Sequence, residues 1–151
     1  ANGVEVVDGW ETAYNTEFSG SAGHGPRPFV VSYGSSPPFE VIYASQPLTE
    51  APTAAVTDPD TCFRQVEFVG ILQGTRNRAL AEKWVDFMLS ARFQADMPMQ
   101  MFVLPVNPAA KLDATFEKYL AIPAQPASVS PADIAAHRDT WVEAWTNAVL
   151  R

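Results

Sequence analysis

Trp10 and Tyr14 stand four residues apart, Tyr33 closes an apolar run, Phe39 follows Pro37 and Pro38, and Phe102 stands three residues before Pro105. Aromatic faces attract cations and stack on flat heterocycles, so several of them gathered at one place form a box for a planar, cationic or heteroaromatic ligand. The spacing sets Trp10 and Tyr14 at the start of a helix just after a strand. Tyr33 ends another strand, with Phe39 in the first turn beyond it, and Phe102 lies between a helix end and Pro105. In open α/β sheets, ligands collect at such places, beyond the carboxyl ends of strands. Core packing is the competing role for each ring taken singly.

Signals for catalysis are poor. Gly34-Ser35-Ser36-Pro37-Pro38 lacks the last glycine of a nucleophile elbow. Gly20, Gly23 and Gly25 have the wrong spacing for a dinucleotide loop and lead to Pro26 rather than into a helix. No Gly-Lys-Ser/Thr occurs. His24 reads as a solvated loop residue, and His137 as a partly buried helix residue hydrogen-bonded to a neighbour. Asp58-Pro59-Asp60 lacks the remaining ligands of a calcium loop and reads as a solvated turn. Cys62 has no visible base beside it; a buried thiol is the plain reading, and a disulfide to a segment outside this chain is the other.

The elements that position these residues follow from local pattern. Val4–Val7 reads as a short strand, Asp8 as a helix N-cap before Trp10, Tyr14 and Phe18, and 19–28 as a loop. Phe29–Tyr33 reads as a buried strand, with Ser36 capping a helix through Ala44 and Pro37 in its first turn. A proline-rich loop covers 45–61. Phe63–Leu72 reads as a strand entering the core. Gly74-Thr75 opens a helix with Leu80, Trp84, Phe87 and Met88 on one stripe. Ser90 caps a second helix that Pro98 stops, and Phe102–Val106 is extended. Asp113 caps a helix carrying Phe116 and Tyr119, and Ser130-Pro131-Ala132-Asp133 starts the last one, carrying His137, Trp141 and Trp145. Strands alternating with helices give an α/β class.

Composition bounds the function. Seventeen acidic residues against ten basic ones leave a formal charge of −7 over 151 residues, which argues against a nucleic-acid surface. Neither a membrane span nor an N-terminal targeting segment is visible, and 47% hydrophobic content argues against disorder.

Several segments together resemble a known family. They are Gly9-Trp10-x-x-Ala13-Tyr14; Val30-Val31-Ser32-Tyr33-x-x-Ser36-Pro37; Gln65-Val66-Glu67; Phe87-Met88-Leu89-Ser90-x-x-Phe93-Gln94; Met97-Pro98 running on to Pro105-Val106; and Pro131-Ala132-Asp133-Ile134-Ala135-Ala136-His137-Arg138-x-x-Trp141-x-x-x-Trp145. The chain is similar over nearly its whole length to the C-terminal half of a thiamine-binding extracytoplasmic solute-binding protein, the receptor of a thiamine ABC importer. The resemblance implies part of a two-lobed type 2 periplasmic binding fold, a mixed sheet flanked by helices, with pieces of both lobes within 1–151. It implies no catalysis and no cofactor, with thiamine or a thiamine phosphate as the transported ligand in an aromatic cleft between lobes. The binding residues it implies are Trp10, Tyr14, Tyr33, Ser36, Phe39 and Phe102. Phe39 stands where the family often has a stacking tyrosine, and Phe102 where it can carry tryptophan.

The implied partners are the permease subunits of an ABC transporter and a missing N-terminal part of the same protein. Apolar surface left by truncation can drive dimerisation. The implied location is extracytoplasmic, periplasmic or as a cell-surface lipoprotein, with the signal segment outside this chain. A receptor for polyamine or iron on the same fold is the alternative, although iron receptors use adjacent tyrosines and none occur here. A thiamine-pyrimidine enzyme and an interaction domain are the readings from other classes.

Overall fold

Helices carry the regular structure of this chain. The computed structural model describes residues 3–20 and 25–150. Along them run α1 (Trp10–Thr12), which passes directly into a π-helical turn at Ala13–Glu17, then α2 (Ser36–Ile42), α3 (Arg78–Met88), α4 (Ala91–Met101), α5 (Ala114–Tyr119) and α6 (Pro131–Val149). None of the described helices is long and apolar enough to cross a membrane.

Local chemistry explains the starts of the later helices. The Ser90, Asp113 and Ser130 side chains accept hydrogen bonds from the backbone N–H groups of Phe93, Thr115 and Asp133, donors that the helix itself leaves unpaired. The Ser130 hydroxyl also donates to the Asp133 carboxylate at 2.6 Å, closing a two-way cap. Three expected boundaries are corrected. Gly9 rather than Asp8 precedes α1, and Ser35 rather than Ser36 stands at the cap of α2. Pro98 does not stop α4. Its fully buried ring lies inside a helix that runs on to Met101 and ends with Phe102 in the left-handed region, at φ 61°.

The α/β expectation, a mixed sheet flanked by helices, is overturned. No named strand and no sheet form among the described residues, where the only pairings are isolated parallel bridges, Phe18 with Arg27 and Phe63 with Ala127. The physical reason is that a strand is defined by a neighbour, because ladder hydrogen bonds and a half-buried face both come from pairing. Val4–Val7, Phe29–Tyr33, Phe63–Leu72 and the 102–106 segment have strand-forming residues but no ladder. Phe29 is 78%, Val31 93% and Phe68 90% exposed, where a buried strand would hide them.

The described chain divides into two compact units, one of Ala1–Ser32, Val56–Arg64 and Pro123–Arg151, the other of Tyr33–Ala55 and Gln65–Ile122. In the first, Arg27 pairs with Glu5 at 3.1 Å and reaches the Gly3 carbonyl at 2.5 Å. The Asp60 N–H donates to the Gln125 carbonyl at 3.1 Å, and the Ala127 N–H to that of Cys62 at 2.7 Å. In the second, α2 packs on α5 around Phe116, which is wholly buried. Gln94 links two parts of this unit: its amide donates to the Met88 carbonyl and its side-chain oxygen accepts from the Val106 N–H, both at 2.8 Å. The Tyr119 hydroxyl donates to the Thr49 carbonyl at 2.9 Å, holding the loop after α2 to α5.

Candidate functional site

In the first unit, the π-helical turn sets Trp10 and Tyr14 one above the other. Their rings stack at 4.8 Å and 23°, and Tyr14 meets Phe18 at 5.5 Å. Tyr14 is buried, whereas Trp10 remains 39% exposed. The Trp10 indole N–H donates to the Ser32 hydroxyl at 2.9 Å, which fixes the plane of the ring. Trp10 is thereby an oriented aromatic face backed by a second ring. Tyr14 is its support.

The second unit holds Tyr33, Ser36, Phe39 and Phe102. Tyr33 is exposed, and its carbonyl accepts from the Ser36 N–H at 3.0 Å. Ser36 and Phe39 are buried in the first turn of α2. Phe39 stacks on Phe102 at 4.0 Å and 29°, lies parallel to Tyr43 at 5.5 Å, and meets Phe116 edge-on at 5.7 Å. Only 8% of Phe39 is exposed, so it is a packing ring that carries Phe102, itself 39% exposed. Of the six residues, Trp10, Tyr33 and Phe102 keep part of their surface exposed, while Tyr14, Ser36 and Phe39 are buried.

Three contributors escape a reading by sequence pattern. Ser32 orients Trp10, Tyr43 covers a second face of Phe39, and the buried Ser35 hydroxyl donates to the Phe102 carbonyl at 2.8 Å. Ser32 and Ser35 flank Tyr33, so the Ser-Tyr-x-Ser run was the available signal. Periodicity does not register a hydroxyl whose partner is 67 residues away.

The remaining candidates give no catalytic constellation. The Cys62 thiol is half-buried and donates to the Val56 carbonyl at 3.2 Å. Asp58 and Asp60 lie in a turn closed by Thr61, whose hydroxyl donates to the Asp58 carbonyl at 2.7 Å. No group of acidic, histidine or cysteine side chains among the described residues is arranged to hold a metal ion. His137 is exposed rather than partly buried; its Nδ1 lies 3.0 Å from the Asp133 carbonyl, and its ring stacks on Trp141. His24 lies outside the described residues. Lys118, at the surface, has its pKa raised, first by the hydrogen bond to the Tyr119 hydroxyl at 2.6 Å and further by Glu50. This is a feature of the loop tie rather than of the aromatic faces.

Comparison with known proteins gives a consistent result. The thiamine-binding periplasmic protein of Salmonella typhimurium is 32% identical over 151 residues, covering 100% of this chain and 43% of the relative. The protein of the same name from Escherichia coli is 31% identical over 148 residues, covering 98% of this chain and 42% of the relative. That of Brucella abortus is 27% identical over 149 residues, with coverage of 98% and 42%. No protein-family model matches the chain, and no solved structure matches it significantly. These relatives are named as binding proteins rather than enzymes, in line with the expected absence of catalysis. The resemblance drawn from the motifs therefore holds from end to end: the chain is similar throughout to thiamine-binding periplasmic proteins, and spans somewhat less than half of their length.

Proposed function

We propose that this chain is the C-terminal portion of the substrate-binding component of an ABC transporter, which takes up thiamine or a thiamine phosphate and delivers it to membrane permease subunits. The observation that carries this reading is the end-to-end similarity to relatives named for thiamine binding and periplasmic location. The aromatic geometry supports it. Thiamine joins a positively charged thiazolium ring to a flat pyrimidine. An open indole or phenyl face attracts such a cation by roughly 0.5–2 kcal/mol, and a pyrimidine stacks offset on a second ring. Trp10 and Phe102 are each partly exposed and each has a second ring stacked against it, which limits how far the ring can turn away when no ligand is present.

On this reading the protein works outside the cytoplasm, free in a periplasm or as a cell-surface lipoprotein, and performs no chemistry on its ligand. An N-terminal part of the same protein supplies the rest of the binding surface, so this chain alone binds thiamine weakly or not at all. Titration of the longer protein with thiamine and its phosphates, followed by tryptophan fluorescence, tests the assignment. Saturable quenching that spermidine does not reproduce is the expected result, and no response to any thiamine compound overturns it.

A further inference from the structure

Ser35 stands at the N-cap of α2 yet makes no capping hydrogen bond, and its backbone is helical, φ −83° and ψ −6°, instead of extended. The reason is written in the next three residues. A cap oxygen serves the N–H groups two and three positions on, and here those positions are Pro37 and Pro38, which have none. The Ser35 hydroxyl is released from the usual task of its position and donates instead to the Phe102 carbonyl, 67 residues away, at 2.8 Å. Ser35 is 4% exposed, so water competes little for this bond.

Its acceptor is not an ordinary residue. Phe102 ends α4 in the left-handed region, φ 61° and ψ 15°, a conformation that side chains other than glycine, asparagine and aspartate seldom adopt. The N–H of Phe102 returns to the Pro98 carbonyl at 3.1 Å, and the Ser35 hydroxyl takes its C=O. Both backbone groups of this strained residue are therefore held, and its ring is set against Phe39 at 4.0 Å. From this we infer that Ser35 is a positioning residue: its hydroxyl fixes the left-handed turn at Phe102, and through it the aromatic face that meets the cationic or pyrimidine ring of the ligand. The inference rests on the thiamine-binding reading given above. The Pro37-Pro38 pair belongs to the same device, since it turns a helix cap into a long-range tie.

The experiment compares S35A, S35T, F102A and the S35A/F102A double variant in the longer protein that contains this chain. Thiamine affinity is read by tryptophan fluorescence, thermal stability by melting, and the Phe102 backbone by its 13Cα shift with nuclear Overhauser contacts to the Phe39 ring. S35A is expected to weaken thiamine binding about fivefold to tenfold, the worth of one buried hydrogen bond. S35T restores the affinity, and the double variant binds no more weakly than F102A. S35A should also lose the left-handed Cα shift and the Phe39 contacts.

Wild-type affinity in S35A beside a weakened F102A overturns the role of Ser35 and leaves the thiamine reading intact. Wild-type affinity in F102A overturns the role of both residues at the ligand. Failure of the wild-type protein to bind thiamine overturns the functional reading, and with it the ligand role of Ser35. The backbone tie is then decided by the nuclear magnetic resonance arm, where an unchanged Phe102 in S35A overturns it. If S35A does not fold, S35C, with its weaker donor, carries the same comparison against S35T.

Discussion

Phe39 and Trp10 are both aromatic candidates for one ligand, yet their surroundings assign them different work. Phe39 touches Phe102, Tyr43 and Phe116 and is nearly closed off from solvent. Trp10 leans on Tyr14, bonds to Ser32 and stays partly exposed. Their alanine variants should therefore part in opposite directions. F39A empties a packed position and is expected to cost about 3–5 kcal/mol of stability. W10A forfeits the stack on Tyr14, about 0.5–1.5 kcal/mol of stability, and the hydrogen bond to Ser32, about 0.5–1.5 kcal/mol. It also forfeits about tenfold in thiamine affinity if a cation–π contact near the upper end of its range is lost. Chemical denaturation and ligand titration on the same two variants check this. A W10A protein that is as unstable as F39A and binds thiamine normally would make Trp10 a core residue and nothing more.

Among the elements, α6 is the one whose start is written most locally. Ser130, Pro131 and Asp133 carry the cap, the first-turn proline and the return bond within four residues. S130A removes both bonds and is expected to cost about 1 kcal/mol, seen as a lower melting temperature and faster amide exchange in the first turn of α6. Gly25 is a second local test. A Cβ there would lie 2.1 Å from the Glu17 carbonyl oxygen, and its own N–H donates to the Phe18 carbonyl. Backbone cannot yield as a flexible side chain does, so G25A should destabilise the first unit by about 1–3 kcal/mol or more. A melting curve unchanged from wild type would refute that. The contrast between elements explains what was legible beforehand. Caps at Ser90, Asp113 and Ser130 are short-range chemistry and stand in the sequence. Phe63–Leu72 has the right side chains for a strand, but pairing is a property of two segments, and among the described residues only Phe63 is paired, in a single bridge to Ala127. Pro98 reads as a stop because its missing N–H is local, while the packing that buries its ring is not. Among the candidate aromatics the rings could be named from spacing; the Ser32 hydroxyl bonded to Trp10 and the Ser35 hydroxyl bonded to the Phe102 carbonyl could not, since these pairs are 22 and 67 residues apart.

Across the molecule, apolar side chains of the described residues outnumber the buried positions. Among the described residues the buried hydrophobic side chains other than proline are Tyr14, Phe39 and Phe116, while Phe29, Val31, Phe68 and Leu72 stand largely in solvent on segments without a ladder. Burying one such side chain stabilises by about 1.5–3 kcal/mol, and unpaired extended backbone offers hydrogen bonds to any segment that docks on it. Groups of this kind mark contact surfaces. The chain spans about 43% of the Salmonella relative it matches, which agrees with the proposal that a further part of the protein covers them. On that proposal, the cover left to the chain by itself is another copy. The chain by itself should therefore self-associate, its sedimenting mass rising above 16.5 kDa with concentration. F68K and L72K together, which put charge where the apolar side chains stand, should return it toward the monomer mass without changing the melting of α3 and α4, because neither residue is buried in the unit that holds those helices. Adding a separately produced N-terminal part should compete with self-association and, in the same titration, raise thiamine affinity above that of this chain alone. A monomer at every concentration, with F68K/L72K indistinguishable from wild type, would mean that these segments find their cover within the chain itself.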